Sequence, residues 1–218
     1  QPGEHRIIVP AMGTVVPARE VVLKAQVSGK VLSLHPEFIE GGYIKENAEI
    51  LQIDPEDYQL TVTLAEAKVK DAESGLELAE EEANAAKEEW QLLYKDNADT
   101  NGKPPPLAAK EPQLAAAKAG LEADKADLRK ALLNLERTKL KAPFAGRVGE
   151  EKVDVGQYVS PGQSLGTLYS TEAAEILVPL EGGDLFWFDV PAFTSTDGRG
   201  APAVVRASIA GRELSWPG

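Results

Sequence analysis

The sequence predicts an α+β protein with a small β-sandwich built from two half-motifs, a long antiparallel helical hairpin inserted between them, and part of a β-barrel. Two observations carry this prediction. Apolar residues recur in steps of three and four over residues 62–93 and 114–138, which is the spacing of a coiled-coil seam. The segments that flank these two ladders, residues 41–54 and 156–169, are duplicates of one another.

The two ladders predict two helices. The first ladder is apolar at every position: Val62, Ala65, Val69, Ala72, Leu76, Ala79, Ala83, Ala86, Trp90 and Leu93. The second contains one charge and one hydroxyl: Leu114, Ala117, Leu121, Asp124, Leu128, Ala131, Leu135 and Thr138. Between them lies NADTNGKPPP, which a helix cannot cross because proline lacks the amide hydrogen that the helix needs. An ordinary bundle would require another helical segment of similar length, and the sequence offers none, so an antiparallel hairpin is favoured.

The duplicated segment reads GGYIKENAEILQID in its first copy and GQYVSPGQSLGTLY in its second, aligned without a gap. Asn47 falls on Gly162, and these residue types most readily accept a positive φ, so both copies are predicted to make the same turn. Upstream, AQVSGKV lies over APFAGRV. A half of about 30 residues cannot bury its own apolar face, whereas two copies that face each other can.

These patterns define the predicted domains. The sandwich is assigned to residues 24–54 and 140–170, and the hairpin, whose antiparallel ends emerge side by side, to residues 55–139. Asp54 is the expected cap of the first helix, with Pro55 just inside it. The first helix is predicted to be about 15 Å longer than the second at about 1.5 Å per residue, so the Pro-rich stretch should run back along its end.

Residues 1–23 and 171–218 are assigned to a partial β-barrel. EILVPL and AVVRASI read as strands, whereas residues 10–17, with two prolines and a glycine, indicate a turn region. An open barrel edge is a liability, so we expect these 218 residues to be part of a longer protein. The chain opens with Gln1 rather than Met, which is compatible with removal of a signal or anchor segment.

The composition excludes several functions. The net charge of -12 argues against nucleic acid as a partner and against a surface that adheres to anionic lipid. Cysteine is absent, which excludes disulfides, thiolate metal sites and a cysteine nucleophile. His5 and His35 lie far apart without a matching cluster of acids, so no metal site is predicted. No P-loop, dinucleotide fingerprint or G-x-S-x-G motif appears, so neither an enzyme nor a cofactor is predicted.

The hairpin carries two kinds of surface residue. Its glutamates indicate a solvated face: Glu77, Glu80, Glu81, Glu82, Glu88 and Glu89. Trp90, Leu93 and Tyr94 lie at the end farthest from the base, where an isolated hairpin is wet. Two interpretations of these three remain open: they cap the seam against Pro104–Pro106, or they form a docking surface.

Two half-motifs around a helical hairpin, followed by barrel strands, resemble the HlyD-like periplasmic adaptor (membrane fusion protein) family. The resemblance covers nearly the whole chain and is most specific over LERTKLKAPFAGRVGEEKVDVGQYVSPGQSLGTL, residues 135–168. The first half, VVLKAQVSGKVLSLHPEFIEGGYIKENAEILQID, is typical of adaptors that serve resistance-nodulation-division (RND) pumps. The resemblance implies a lipoyl-like sandwich, a coiled-coil hairpin and a β-barrel, with a membrane-proximal domain after them.

The same resemblance implies partners and a docking site. It implies a periplasmic, inner-membrane-associated protein that ties an RND-type transporter to a TolC-like outer-membrane channel, usually as a hexamer. Relatives that dock on such channels often carry an Arg, Leu and Ser at the hairpin tip, where this sequence has Glu89, Leu93 and Thr100. The leucine matches, the threonine matches weakly, and the glutamate departs from the pattern. The implied docking site is Trp90, Leu93, Tyr94 and Thr100.

Two alternatives come from other classes. A lipoyl or biotinyl carrier subunit presents a lysine on a tight turn between its halves, commonly beside methionine. Here the only methionine, Met12, lies outside both halves, and the helical insert occupies the place of that turn. A coiled-coil spacer without a role in transport is the other alternative, and it differs from an adaptor in its partners.

Overall fold

The structure is a computed structural model of the 218-residue chain, and it describes residues 8–94, 104–188, 190 and 200–217. The chain divides into two compact units. One unit contains Gln1–Ala18 and Ala173–Gly218, and the other contains Arg19–Glu172. The larger unit holds both helices and two four-stranded sheets.

The described residues contain twelve strands, two α-helices and one short 3-10 helix, Asp184–Phe186. In chain order they are β1 (Thr14–Pro17), β2 (Glu20–Lys24), β3 (Gly29–Leu34), β4 (Tyr43–Ile44), β5 (Glu49–Ile53), α1 (Glu56–Tyr94), α2 (Glu111–Glu136), β6 (Lys139–Lys141), β7 (Gly146–Glu151), β8 (Tyr158–Val159), β9 (Ser164–Ser170), β10 (Ala174–Leu177), β11 (Val204–Ile209) and β12 (Arg212–Pro217). The sequence repeat therefore corresponds to β2–β5 before the helices and β6–β9 after them.

The two halves exchange strands. One antiparallel sheet has the order β2-β9-β7-β4 and the other has the order β6-β5-β3-β8. When each strand is replaced by its counterpart in the other half (β2 by β6, β3 by β7, β4 by β8, β5 by β9), the first sheet becomes the second. Each half thus supplies two strands to each sheet, so neither sheet can form from one half alone.

Backbone hydrogen bonds repeat this relationship. The Gly156 N–H donates to the Val31 carbonyl at 2.8 Å, and the Gly41 N–H donates to the Val148 carbonyl at the same distance. Gly41 and Gly156 are counterparts in the repeat, and their φ angles are 80° and 90°. The predicted shared turn is also confirmed, because Asn47 has a φ of 60° and Gly162 a φ of 86°.

The sandwich core draws on both halves. Ile50 and its counterpart Leu165 are both fully buried, and so are Ile53 and Leu168. The other large side chains that are fully buried in this core are Val31, Phe38, Ile44, Leu51, Val148 and Val159. Burial of apolar area from two facing copies is the main stabilising term for such a sandwich.

The two helices lie side by side and run in opposite directions. Near the sandwich, Val62 and Ala65 of α1 pack with Ala131 of α2. Farther out, Lys118 Nζ lies 3.4 Å from a carboxylate oxygen of Glu80. Along the two ladders, every residue is buried or half-buried except Leu93, so the predicted apolar spacing does mark the face between the helices.

The start of α1 follows the predicted capping pattern. Asp54 Oδ1 accepts a hydrogen bond from the Glu56 N–H at 3.1 Å, and Pro55 lies between them. A carboxylate at this position satisfies one of the free amides of the first turn. The cap therefore places the first residue of α1 three residues after the end of β5.

The smaller unit contains two separate antiparallel strand pairs among its described residues. In β1 and β10, Thr14 lies opposite Leu177, and in β11 and β12, Val204 lies opposite Pro217.

The expected turn region over residues 10–17 is wrong in its second half, because residues 14–17 form β1. Pairing with a strand far along the chain outweighs the local turn signals there. The partial barrel stays a prediction.

Gly146 is a position where a side chain cannot be accommodated. A Cβ there would overlap the backbone carbonyl oxygen of Tyr169 in the neighbouring strand, whereas a Cβ at Gly75 of α1 would have no atom within 4 Å. We expect Gly146→Ala to lower the free energy of unfolding by roughly 1–3 kcal/mol through overpacking. Gly75→Ala should raise it by about 0.5–1 kcal/mol, because alanine favours the helix. Urea denaturation followed by circular dichroism measures both, and a Gly146→Ala variant as stable as the parent would contradict the close approach.

Candidate docking surface at the end of the helical hairpin

The two helices end at different levels. Lys110, immediately before α2, pairs with Glu82 of α1 at 2.9 Å, yet α1 continues to Tyr94. At about 1.5 Å per residue, the last twelve residues of α1 extend roughly 18 Å past the first residue of α2. The predicted difference in helix length is therefore confirmed, and among the described residues α1 extends farthest from the sandwich.

A compact turn leads into α2 and packs on α1. The Ala109 N–H donates to the Pro105 carbonyl and the Glu111 N–H to the Pro106 carbonyl, both at 3.0 Å. Lys110 has a left-handed backbone with a φ of 53°, which redirects the chain into the helix. Ala109 is completely buried, as is Ala83 on α1. Small side chains at these positions let the turn approach α1 closely.

Two of the predicted site residues contact each other. The rings of Trp90 and Tyr94 are stacked, with centroids 4.2 Å apart and planes 24° from parallel. Leu93 is next to them in sequence and 69% exposed, and Tyr94 is 37% exposed. Thr100 lies outside the described residues, so the site is traced on α1 alone.

Trp90 and Leu93 have different environments. Trp90 is half-buried, and its indole Nε1 is shielded from solvent without a hydrogen-bond acceptor among the described residues. An unpaired buried donor costs free energy, so Trp90 acts mainly through its apolar ring. Leu93 continues the ladder beyond α2 and is exposed to solvent, as a docking residue would be.

Leu92 was missed by sequence reasoning. It is 82% exposed, more than Leu93. The ladder selects residues that face the partner helix, and Leu92 is one position off it, on the outer side. An exposed leucine next to an exposed ladder position is the signal that would have found it. We call Trp90, Leu92, Leu93 and Tyr94 the end patch; exposed apolar clusters of this kind mark interaction surfaces.

The charges around the hairpin are solvated, as predicted. All six glutamates named from the sequence are exposed. Glu80 and Glu82 pair with Lys118 and Lys110, but these partners are about half exposed, so each pair contributes little to stability. Glu89, in the position where channel-docking relatives often carry arginine, is exposed and directly precedes Trp90.

The two histidines were the remaining candidate residues, and the one that the structure describes makes a local hydrogen bond with the backbone. His35 Nδ1 accepts a hydrogen bond from the Glu37 N–H at 3.1 Å, and His5 lies outside the described residues. In the described part of the chain, no three His, Cys, Asp or Glu side chains lie close enough together to hold a metal ion.

Neither of the two long helices has the apolar stretch needed to cross a bilayer. The connection from β5 to β6, where a carrier domain would present its lysine, consists of α1 and α2.

Comparison with known proteins agrees with this architecture. The family model described as "RND MFP, barrel-sandwich hybrid domain", where MFP stands for membrane fusion protein, matches residues 19–171. The multidrug resistance protein MdtA of Pectobacterium carotovorum is 32% identical over 165 residues, which is 76% of this chain. The alignment spans only 38% of the length of that relative.

Two solved structures share the fold. A MacA–MexA chimera that contains the MexA α-hairpin domain of Pseudomonas aeruginosa matches 95% of this chain and 63% of its own, with 22% identity and a TM-score of 0.57. The periplasmic adaptor protein EmrA matches 94% of this chain and 86% of its own, with 17% identity and a TM-score of 0.51. At these identities the likeness concerns the fold alone.

The close packing of the turn on α1 can be tested at two alanines of one helix. Ala83→Leu should destabilise the hairpin by roughly 1–3 kcal/mol, because a larger side chain has no space against the turn. Ala85→Leu, on the exposed side of the same helix, should be nearly neutral. Thermal unfolding by circular dichroism measures stability, and tryptic cleavage after Lys110 reports release of the turn. Equal effects of the two variants would contradict the packing.

Proposed function

This chain belongs to the RND membrane fusion protein family, and from that premise we propose that it acts as the periplasmic adaptor of a tripartite efflux pump. The adaptor bridges an inner-membrane transporter, of RND type, and a TolC-like outer-membrane channel. The observation that carries the proposal is the strand-exchanged sandwich with its helical hairpin inserted between β5 and β6. That insertion turns a compact domain into a base with a projecting arm.

The domain assignment follows from the same architecture. Residues 24–54 and 140–170 form the lipoyl-like domain, and residues 55–139 form the coiled-coil hairpin. The duplicated strands support the first assignment, and the burial of the two ladders supports the second. Residues 1–23 and 171–218 are assigned to the partial β-barrel, for which the strand pairs β1–β10 and β11–β12 are the support.

The proposed mechanism is mechanical rather than catalytic. The 39 residues of α1 make a rod of about 58 Å at 1.5 Å per residue. A rod of that length can carry a contact far from the sandwich. The adaptors associate, as a hexamer, so that the sandwiches surround a conduit and the hairpins point towards the channel. Cargo then passes through the assembly, and the adaptor requires no catalytic group or cofactor.

The end patch is the proposed contact with the channel, together with Thr100. Leu92, Leu93 and Tyr94 are exposed at the end of α1, where burial against a partner removes apolar area from water. Burying a leucine fully contributes about 1.5–3 kcal/mol. Glu89 cannot donate the hydrogen bonds that an arginine donates, so in this chain the contact with the channel is mainly apolar.

We assign the protein to the periplasm, associated with the inner membrane. The shared fold of EmrA, a periplasmic adaptor protein, supports this assignment by analogy. The acidic surface, with a net charge of -12, is suited to protein partners rather than to anionic lipid headgroups or nucleic acid.

The alternatives make different predictions. A lipoyl or biotinyl carrier needs a lysine on the turn that α1 and α2 replace, and this arrangement does not favour it. A coiled-coil spacer has the same fold but different partners. Cross-linking in cells, followed by identification of the captured proteins, separates a spacer from an adaptor, since only the adaptor captures both a transporter and an outer-membrane channel.

The end patch can be tested in the full-length protein at Leu93. Leu93→Asp should reduce efflux and channel capture by about tenfold or more, because loss of about 1.5–3 kcal/mol corresponds to such a factor. Leu93→Met keeps an apolar side chain and is the matched control, expected to retain efflux. Drug susceptibility and co-purification of the channel measure the effect, and circular dichroism checks that both variants fold. Normal efflux in the folded Leu93→Asp variant would rule out this contact.

A further inference from the structure

The joint between the helices and the sandwich has two short linkers. Asp54 and Pro55 connect β5 to α1, and Arg137 and Thr138 connect α2 to β6. Because β5 and β6 are neighbours in one sheet, the chain crosses the joint at two adjacent points. Two adjacent crossings restrict most rotations of the hairpin relative to the sandwich. One rotation is left, in which the hairpin tilts about the line that joins the two crossings. Contacts off that line therefore decide the direction of the hairpin.

The backbone hydrogen bonds of the linkers run to neighbouring segments of the same sheet. The Ile53 N–H donates to the Thr138 carbonyl at 2.7 Å, and the Asp54 N–H donates to the Lys30 carbonyl at 2.9 Å. Thr138 is completely buried, and its hydroxyl donates to the Leu135 carbonyl at 2.7 Å. These bonds satisfy the polar groups of the linkers, but they offer little leverage against a tilt.

Tyr58, the third residue of α1, makes a contact beyond the linkers. Its ring packs against the sandwich core, and its hydroxyl donates to the Ser28 carbonyl at 2.7 Å. Among the described apolar residues of α1 and α2, Tyr58 alone packs against that core. Ser28 lies in the connection before β3, near Lys30, so this side chain extends the attachment made by the linkers onto the helix itself.

The other side of the joint is open. A groove of about 480 Å³ lies there, lined in part by Leu32 of β3 and by Gln59 and Leu132 of the two helices. Val31 is buried in the core whereas Leu32 is 46% exposed, so Leu32 and the groove lie on the outer face of the sheet. Tyr58 packs on the core side. A tilt that released Tyr58 would be directed into the groove.

We propose that Tyr58 is the positioning residue of the hairpin: its hydrogen bond to Ser28 sets the direction of the helices relative to the sandwich, and the open groove is the space into which they tilt when it is released. The effect is amplified along α1. Tyr94 is about 54 Å from Tyr58 at 1.5 Å per residue, so a tilt of roughly 10° moves the end patch by about 9 Å. The inference concerns the joint and holds whether or not the chain serves as an adaptor.

Pulsed electron paramagnetic resonance tests this in the 218-residue chain. The chain contains no cysteine, so Lys45→Cys on the sandwich and Glu77→Cys on α1 accept spin labels at two exposed sites only. Tyr58→Phe keeps the ring and removes the hydroxyl, and Tyr158→Phe, at a mostly exposed tyrosine, is the matched control. Glu77 is about 30 Å along α1, so a tilt of roughly 10° moves its label by about 5 Å.

We expect a broader and shifted distance distribution for Tyr58→Phe and the parent distribution for Tyr158→Phe. Adding Leu32→Trp to Tyr58→Phe should obstruct part of the groove and narrow the distribution again. An unchanged distribution in Tyr58→Phe, or a widening that Leu32→Trp does not reduce, overturns the proposal. Loss of helical circular dichroism in Tyr58→Phe would also overturn it, because Tyr58 would then be needed for folding rather than for positioning.

Discussion

Exchange of strands between two duplicated halves is the constraint on which the larger unit depends. The Gly156 amide bonds to the Val31 carbonyl, and the Gly41 amide repeats this contact with Val148. Because each sheet needs strands from both halves, the chain must leave after β5 and return as its neighbour, β6. The exit and entry points are then adjacent, and the inserted segment is forced to be a hairpin whose two arms start side by side.

The hairpin stabilises itself only modestly. Its seam on α1 is rich in alanine, which lets the helices approach closely but buries little apolar area at each layer. Helices in proteins gain most of their stability from tertiary packing rather than from propensity, so the arm relies on its attachment to the sandwich. At the opposite end α1 extends past α2 within the described residues, and the ladder position Leu93 is exposed there. The same periodicity therefore continues beyond the part of α1 that faces α2.

The pattern of the sequence was sufficient for the helices, the duplicated halves and the cap at Asp54: the helix spacing and the cap depend on neighbours within a few residues, and the duplication is visible when the two copies are aligned. It failed at β1, whose residues carry local turn signals but pair with a strand some 160 residues later, Thr14 opposite Leu177. It also overlooked Leu92, since a ladder identifies only the side chains that face the partner helix. Both failures concern contacts that are decided at long range or at the surface.

The sequence by itself determined the hairpin, its unequal arms and the pairing of two equivalent halves, since a repeated pattern of apolar residues can be buried only against its own copy. Only the tertiary structure decided how those halves interlock, with each sheet mixing strands from both, and which side chain ties α1 to the sandwich. Tyr58 carries no pattern that distinguishes it from other aromatic residues. Its role follows from where the Ser28 carbonyl lies, and that position is set by the folding of a segment 30 residues away.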